Sequence, residues 1–198
     1  MTRVGVFGGS FNPVHWGHLH IALLAREAAA LDVVLYLPAA TPPHKEPGEL
    51  APAPHRWAML EGALASEPHT SLCNLEITAG GSRYTVDTLD RLKREQPAWE
   101  LHFILGMDSL AELSSWRDPE YLVDTYHVIA VNRPGGAVDV PTVWQDRVLA
   151  VAGNPFAIAS RAIRERVAAG RSIRHLVPAP VAAYIAEHRL YRMESEAQ

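Results

Sequence analysis

The residues best suited to do chemistry stand together near the start of the chain, in the run Gly8-Gly9-Ser10-Phe11-Asn12-Pro13-Val14-His15-Trp16-Gly17-His18. Glycines let a backbone approach an anion closely, and the first turn of a helix offers free N–H groups. His15 and His18 are three residues apart, so on a helix their imidazoles share one face and can donate hydrogen bonds to phosphate oxygens. The pattern predicts a phosphate site. The alternatives are an ordinary glycine turn, a surface histidine pair, or a pair of metal ligands. Histidines that bind zinc from a helix are usually spaced at i, i+4, which differs from the spacing here.

A strand before this run and a helix after it must hold it in place. Residues 4–7 are an apolar run typical of a buried strand, and residues 16–30 are typical of a helix. The same alternation continues, and we predict further strands at 33–37, 71–77, 101–105, 127–132 and 148–151, and helices at 55–66, 85–96, 107–113 and 119–124. Strands that alternate with helices predict an α/β fold with a doubly wound parallel sheet.

The end of the chain has a different character, because only helical patterns follow Gly153. Ser160 is expected to cap a helix over residues 161–169, with Gly170 just past its end, and a last helix is expected over 180–188. We therefore predict a single domain over residues 1–198. Its parallel α/β part covers residues 1–152, and a C-terminal helical extension covers 153–192.

Composition narrows the class of protein. A net charge of −4 and a pI near 6.2 argue against bulk binding to nucleic acid or to anionic membranes, so phosphate affinity must be local. Cys73 is the only cysteine, which excludes a disulfide framework. The chain begins without a signal peptide and has no long apolar run, so we expect a cytoplasmic protein. A homo-oligomer is compatible with the sequence.

The predicted strand order indicates where one acidic residue, Asp108, lies relative to a ligand. In the usual 3-2-1-4-5 strand order the first and fourth strands are neighbours, and ligands bind beyond their carboxyl ends. Asp108 follows the fourth strand and could accept hydrogen bonds from ribose hydroxyls, or merely cap its own helix.

Several motifs together resemble one family. The spacing His15-Trp16-Gly17-His18 matches the HxGH signature of the nucleotidyltransferase superfamily, and its surroundings resemble the bacterial nicotinate-nucleotide adenylyltransferases. The resemblance extends over residues 3–191 and includes Pro43-His44-Lys45, Arg56 with Met59, Arg83-Tyr84-Thr85, Gly106-Met107-Asp108-Ser109, Trp116, Arg133-Pro134-Gly135, Ile158 to Arg164, and Pro178 to Tyr191. It implies a Rossmann-like fold and transfer of the adenylyl group of ATP to nicotinate mononucleotide.

The resemblance also implies two binding sites. The ATP site comprises Gly8, Gly9, Ser10, Phe11, His15, His18, Lys45, Ser160 and Arg164, with His15, His18 and Arg164 as catalytic residues. The pyridine-nucleotide site comprises Asn12, His44, Lys45, Tyr84, Thr85, Asp108, Trp116 and Arg133. Mg²⁺ is expected to arrive with ATP, and no dedicated protein metal site is expected.

This chain departs from the family pattern at three positions. Arg83 stands where serine is common, Ala159 replaces a serine and Arg161 replaces a threonine. Two other functions therefore stay open. One is a related transferase with another acceptor, such as nicotinamide mononucleotide, phosphopantetheine or an alcohol phosphate. The other is a nucleotide-binding regulator without catalysis.

Overall fold

A computed structural model describes residues 1–40, 50–79, 84–132, 140–153 and 157–192. Its strands are β1 (Thr2–Gly9), β2 (Val33–Pro38), β3 (Thr70–Leu72), β4 (Trp99–Gly106), β5 (His127–Val131) and β6 (Val148–Val151). Its helices are α1 (Trp16–Ala28), α2 (Ala53–Leu64), α3 (Leu75–Ala79), α4 (Thr85–Glu95), α5 (Met107–Glu112), α6 (Pro119–Thr125), α7 (Ser160–Ala168) and α8 (Ala179–Glu187). Short 3₁₀ turns cover Leu113–Ser115 and Thr142–Trp144.

The six strands form one sheet in the order β3-β2-β1-β4-β5-β6, and every neighbouring pair is parallel. This confirms the Rossmann-like, doubly wound fold class. Phe7 of β1 pairs with Ile104 of β4, and each strand ends two residues later, at Gly9 and Gly106. The predicted neighbourhood of the first and fourth strands is therefore confirmed, and the loops that leave them start side by side.

Helices cover both faces of the sheet. Consecutive residues of a strand point to opposite faces, so each strand contributes to two separate cores. Phe7, Tyr36 and Ile104 belong to the core that includes residues of α1, α2, α7 and α8. Val6, Leu35 and Phe103 belong to the core that includes residues of α4, α5 and α6. No helix in the described part of the chain has both the length and the apolar character needed to cross a membrane.

The third predicted strand is wrong in its second half. Residues 71–77 were expected to be extended, but β3 ends at Leu72 and residues 75–79 form α3. The last hydrogen bond of this segment to the sheet joins the Cys73 N–H to the Tyr36 carbonyl at 2.9 Å, and the chain turns away beyond it. Glu76 is then held by a tertiary contact, since the Thr88 hydroxyl donates to its carboxylate at 2.9 Å.

The predicted cap of the seventh helix is also wrong. The N-cap of α7 is Ala159, and Ser160 is the first helical residue. The Ser160 hydroxyl donates to the Pro13 carbonyl at 2.9 Å, a contact across 147 residues that local sequence does not show. The end of this helix is as predicted, because Gly170 follows it with φ at +66°, a conformation that favours glycine.

Candidate active site at the carboxyl ends of β1 and β4

The two histidines of the first motif form a stacked pair at the start of α1. His15 is the N-cap residue, with φ at −150° and ψ at 169°, and its N–H donates to Nδ1 of His18 at 3.3 Å. The ring centroids are 3.7 Å apart, with 24° between the planes. A nitrogen that accepts a hydrogen bond carries no proton, so this contact directs the proton of His18 to Nε2. The Nε2–H of His18 is therefore a hydrogen-bond donor at the start of α1.

The glycine between the histidines is closely packed against His15. A Cβ on Gly17 would lie 3.0 Å from Nδ1 and 3.1 Å from Cε1 of His15. A side chain at this position would therefore require the His15 ring to shift by a few tenths of an ångström.

Phe11 supports the same pair from within the core. Its ring centroid is 5.0 Å from that of His18, with 68° between the planes, and its side chain is buried. Phe11 has φ at +45°, and a Cβ on Gly9 would lie 3.3 Å from its ring. The Phe11 side chain therefore acts as packing beneath His18, and any contact of residue 11 with a ligand would use its backbone.

The start of α7 lies against this loop, although it is far away in sequence. Arg164 Nη1 donates to the Asn12 carbonyl at 2.9 Å, next to the bond between Ser160 and Pro13. The first N–H groups of a helix have no intrahelical acceptors, so α7 presents backbone donors beside the start of α1. Within the described part of the chain, the Arg161 side chain makes no contact of this kind. It is 83% exposed to solvent, and its Nε lies 2.8 Å from the Glu165 carboxylate on the same helix.

A buried polar cluster ties the loop to the C-terminal segment. Asn12 is fully buried, and its Oδ1 accepts hydrogen bonds from the Ala51 N–H at 3.1 Å and from the Tyr191 hydroxyl at 2.8 Å. Burial raises the pKa of Tyr191, against the opposing effect of Arg164 and Arg56. The phenol therefore stays protonated and remains a donor to Asn12. These contacts give the Asn12 side chain a supporting role in the loop.

Arg56 is a buried cation that holds carbonyl groups instead of a carboxylate. Its Nη1 donates to the carbonyls of Ser10 at 3.0 Å and Ala39 at 2.6 Å. Its Nη2 and Nε donate to the carbonyls of Ala40 and Ala51 at 2.8 and 2.9 Å. Burial lowers the pKa of Arg56, but an arginine remains charged at neutral pH. The sequence motif singled out this residue, yet only the structure shows that it joins the loop to both flanks of residues 41–49.

Four of the residues predicted to hold the pyridine nucleotide lie after β4 or at the start of α4. Asp108 is exposed in the first turn of α5, directly after β4. Trp116 is half-buried, and its ring centroid lies 6.1 Å from that of Phe103 on β4. Tyr84 is exposed at the N-cap of α4, and Thr85 is the first residue of that helix.

Arg117 connects these two segments and was missed by the sequence analysis. Its guanidinium carbon lies 4.8 Å from the centroid of the Tyr84 ring, and its Nη1 lies 3.5 Å from the Asp87 carboxylate. Its position directly after Trp116 was visible in the sequence, but the contact with Tyr84 depends on how α4 and the loop after α5 pack. Three predicted residues, His44, Lys45 and Arg133, lie outside the described residues.

The described side chains at this edge favour an anionic ligand. Two imidazoles, the Arg164 guanidinium and two helix starts meet at the loop, and all of them interact favourably with phosphate. Within the described ranges, no group of three carboxylate, histidine or cysteine ligands lies at this edge of the sheet. The arrangement fits a polyphosphate better than a metal ion held by the protein.

Comparison with known proteins identifies the family of this chain. The family model described as cytidylyltransferase-like matches residues 6–166. A relative from Thermomicrobium roseum is 42% identical, over 97% of this chain and 92% of its own length. A relative from Salinibacter ruber is also 42% identical, over 96% of this chain and 97% of its own. Both carry the name probable nicotinate-nucleotide adenylyltransferase.

Solved structures show the same fold. The nicotinic acid mononucleotide adenylyltransferase of Plasmodium falciparum complexed with NaAD superposes with a TM-score of 0.81 at 19% identity, covering 96% of this chain and 98% of that one. The same enzyme complexed with APC superposes with a TM-score of 0.79 and the same coverage. At this level of identity the likeness concerns the fold.

Proposed function

This chain belongs to the nicotinate-nucleotide adenylyltransferases, within the cytidylyltransferase-like family, and we propose that it joins nicotinate mononucleotide to the adenylyl group of ATP. The products are nicotinate adenine dinucleotide and pyrophosphate, in NAD biosynthesis. The observation that carries the proposal is the stacked His15–His18 pair at the start of α1, beside the start of α7.

The reaction needs no protein nucleophile, because a phosphate oxygen of the mononucleotide can attack directly. That oxygen forms a bond to the α-phosphorus of ATP, and the bond from this phosphorus to the oxygen bridging the α- and β-phosphates breaks. Pyrophosphate carries away the electron pair. Catalysis then consists of alignment and of neutralising charge on the α-phosphate and the leaving group.

His18 is proposed as the main donor to the reacting phosphate. The hydrogen bond from the His15 N–H fixes its tautomer, and stacking on His15 and packing on Phe11 fix its orientation. Because the donor is oriented before substrate arrives, little reorganisation is needed as charge develops. Gly8, Gly9, Ser10 and the backbone of Phe11 are proposed to line the triphosphate beside it.

The start of α7 is proposed to hold the β- and γ-phosphates. Arg164 uses one N–H on the Asn12 carbonyl, and a guanidinium has five such donors. The proton of the Ser160 hydroxyl is directed to Pro13, so Ser160 would contribute its backbone N–H to a phosphate. Lys45 is proposed as a further phosphate ligand.

The acceptor nucleotide is proposed to bind across the loops after β4 and before α4. Trp116 would stack on the pyridine ring, with Tyr84 and Thr85 beside it and Asp108 on ribose hydroxyls. His44, Lys45 and Arg133 are proposed to bind its phosphate and ring, with Asn12 supporting the loop.

Mg²⁺ is proposed to accompany ATP. The described donors at this edge are imidazole, guanidinium, hydroxyl and backbone N–H, and Asp108 adds a carboxylate two residues past the end of β4. This set fits an ion carried by substrate phosphates and water. When bound, the ion would neutralise charge on the phosphate oxygens.

Pyrophosphate release is the direct test, with ATP and Mg²⁺ and with either nicotinate or nicotinamide mononucleotide as acceptor. We expect at least a tenfold preference for the acid, which requires about 1.4 kcal/mol of differential transition-state binding. Equal rates would indicate a dual-specificity enzyme. ATP binding without pyrophosphate release from either acceptor would contradict the proposal and support a regulator.

A further inference from the structure

A second group of polar side chains lies at the opposite edge of the sheet, where β4 and β5 begin. Nε2 of His102 lies 3.2 Å from Oε1 of Glu100, and Nε2 of His127 lies 3.5 Å from the same oxygen. The three potential ligand atoms all lie within 4.8 Å of one another. His102 and Gly106 are four residues apart along β4, so this group is about 13 Å from the end of the strand where the HxGH loop lies.

The distances match those between ligands of a tetrahedral metal ion. Zinc–nitrogen and zinc–oxygen bonds are about 2.0–2.2 Å long, and the edge of a tetrahedron is about 1.6 times the bond length, so neighbouring ligand atoms are about 3.3–3.5 Å apart. Both nitrogen–oxygen separations lie close to this range. The third separation, between the two imidazole ligand nitrogens, is at most 4.8 Å, so the imidazoles would rotate toward a bound ion.

The sheet itself holds the three residues together. Glu100 and His102 are two residues apart on β4, so their side chains point to the same face. His102 pairs with His127 in the parallel register of β4 and β5, and the two rings stack with centroids 4.7 Å apart. Residues fixed on paired strands are preorganised ligands, because no loop must be ordered on binding.

The group is accessible from solvent, and two arginines border it. The His102 side chain is 5% exposed and that of His127 is 65% exposed, so the group has a buried base and an open side. A cavity of about 310 Å³, lined in part by Arg3 and Arg147, adjoins the two histidines. Arg147 is paired with Asp124 and Glu120, and Arg3 Nε lies 3.9 Å from Glu100.

We propose that Glu100, His102 and His127 bind one divalent transition-metal ion, of which Zn²⁺ is the best probe, with water in the fourth position. Two imidazoles and one carboxylate suit zinc and its neighbours, whereas Mg²⁺ prefers oxygen ligands only. The bound ion joins the starts of β4 and β5 and stabilises the sheet at the edge away from the HxGH pair. It takes no part in the adenylyl transfer.

Calorimetric titration of the full chain with Zn²⁺ tests the site, after chelator treatment and in the absence of nucleotides. We expect one site that is weakened about tenfold or more in His127→Ala and in Glu100→Gln. Glu100→Gln keeps the size of the side chain, and His127 is exposed, so both variants should fold. His175→Asn removes an exposed histidine from the loop before α8, where φ is +69°, and serves as the matched control.

Binding at the HxGH pair must be distinguished from binding at the strand edge. His18→Ala should keep the proposed site, and His127→Ala should lose it. Thermal unfolding gives a second readout: Zn²⁺ at about a hundred times Kd should raise the Tm of the wild type by about 5–10 °C and that of His127→Ala by much less. Wild-type protein that binds no Zn²⁺ below millimolar concentration, or variants that bind it as tightly as wild type, would overturn the proposal and leave two histidines beside a carboxylate without a metal.

Discussion

Two stacked histidine pairs stand at opposite edges of the same sheet, and they are built in different ways. His15 and His18 are the N-cap and the third residue of α1, with centroids 3.7 Å apart, and lie near helix starts and an arginine. His102 and His127 belong to two paired strands, with centroids 4.7 Å apart, and share one carboxylate. Both pairs have 24° between their ring planes.

The neighbours of each histidine pair distinguish the two proposed ligands. At the carboxyl edge, where β1 and β4 end, helix N-termini and Arg164 add positive charge, so we expect the imidazoles to donate to an anion. At the amino edge, where β4 and β5 begin, the Glu100 carboxylate lies within 3.5 Å of both Nε2 atoms, so we expect the imidazole nitrogens to bind a cation. The variants described next test whether the carboxyl-edge pair binds an anion. The zinc titration tests whether the amino-edge pair binds a cation.

The largest effect is expected from His18→Ala, which removes the donor from the carboxyl-edge pair. Turnover should fall by about two to three orders of magnitude, the usual result of losing one preorganised donor to a transition state. Steady-state kinetics at saturating substrates measure it. His69→Asn is the control, because His69 is exposed before β3 and has φ at +58°, which asparagine tolerates. More than half of the wild-type turnover in His18→Ala would contradict the assignment.

Gly17→Ala disturbs the same pair without removing a histidine. The new Cβ would meet His15 at 3.0 Å, and a displacement of this kind can lower turnover by up to about a hundredfold. The free energy of unfolding should not fall in parallel, because alanine is favoured over glycine in a helix by about 1 kcal/mol. Gly62→Ala on α2, with a 3.2 Å contact to Pro180, is the matched control. Unchanged turnover would mean that the stack is not needed.

Trp116→Ala tests whether the carboxyl edge also receives the acceptor. Loss of stacking of about 1–3 kcal/mol would raise KM for nicotinate mononucleotide about 5- to 150-fold, with KM for ATP nearly unchanged. Tyr121→Ala, at an exposed aromatic residue of α6, is the control. An unaltered KM would leave Trp116 as packing against Phe103.

The smallest effect is expected from Ala159→Ser, which gives α7 a polar cap beside the histidine pair. Ala159 has φ at −125° and ψ at 138°, as an N-cap residue should, and a serine there should stabilise the protein by about 1 kcal/mol. Urea unfolding measures the change. Ala168→Ser in the last turn of the same helix should instead destabilise slightly, because serine is a weaker helix former. Equal effects at both positions would show that capping is not the cause.

Elements and their order were predicted well, since strand and helix periodicities are local. The expected 3-2-1-4-5 order was confirmed, with β6 added beside β5. The errors at Glu76 and Ser160 have one cause: each side chain bonds to a residue distant in sequence, Thr88 or Pro13. The roles of Asp108 and Trp116 stay predictions, because ligand contacts are not encoded in strand order.

From the sequence alone one can infer that His15 and His18 lie close together at the start of α1, because they are three residues apart. Their stacking also depends on the extended backbone of His15 and on the packing of Phe11 against His18. Only the tertiary structure decided what surrounds that pair, through Arg164 and Tyr191 on the loop. It alone also brought His127 beside His102, since strand register depends on the packing of the whole sheet. Short-range geometry follows from residue spacing, whereas contacts between distant segments exist only after the chain has folded.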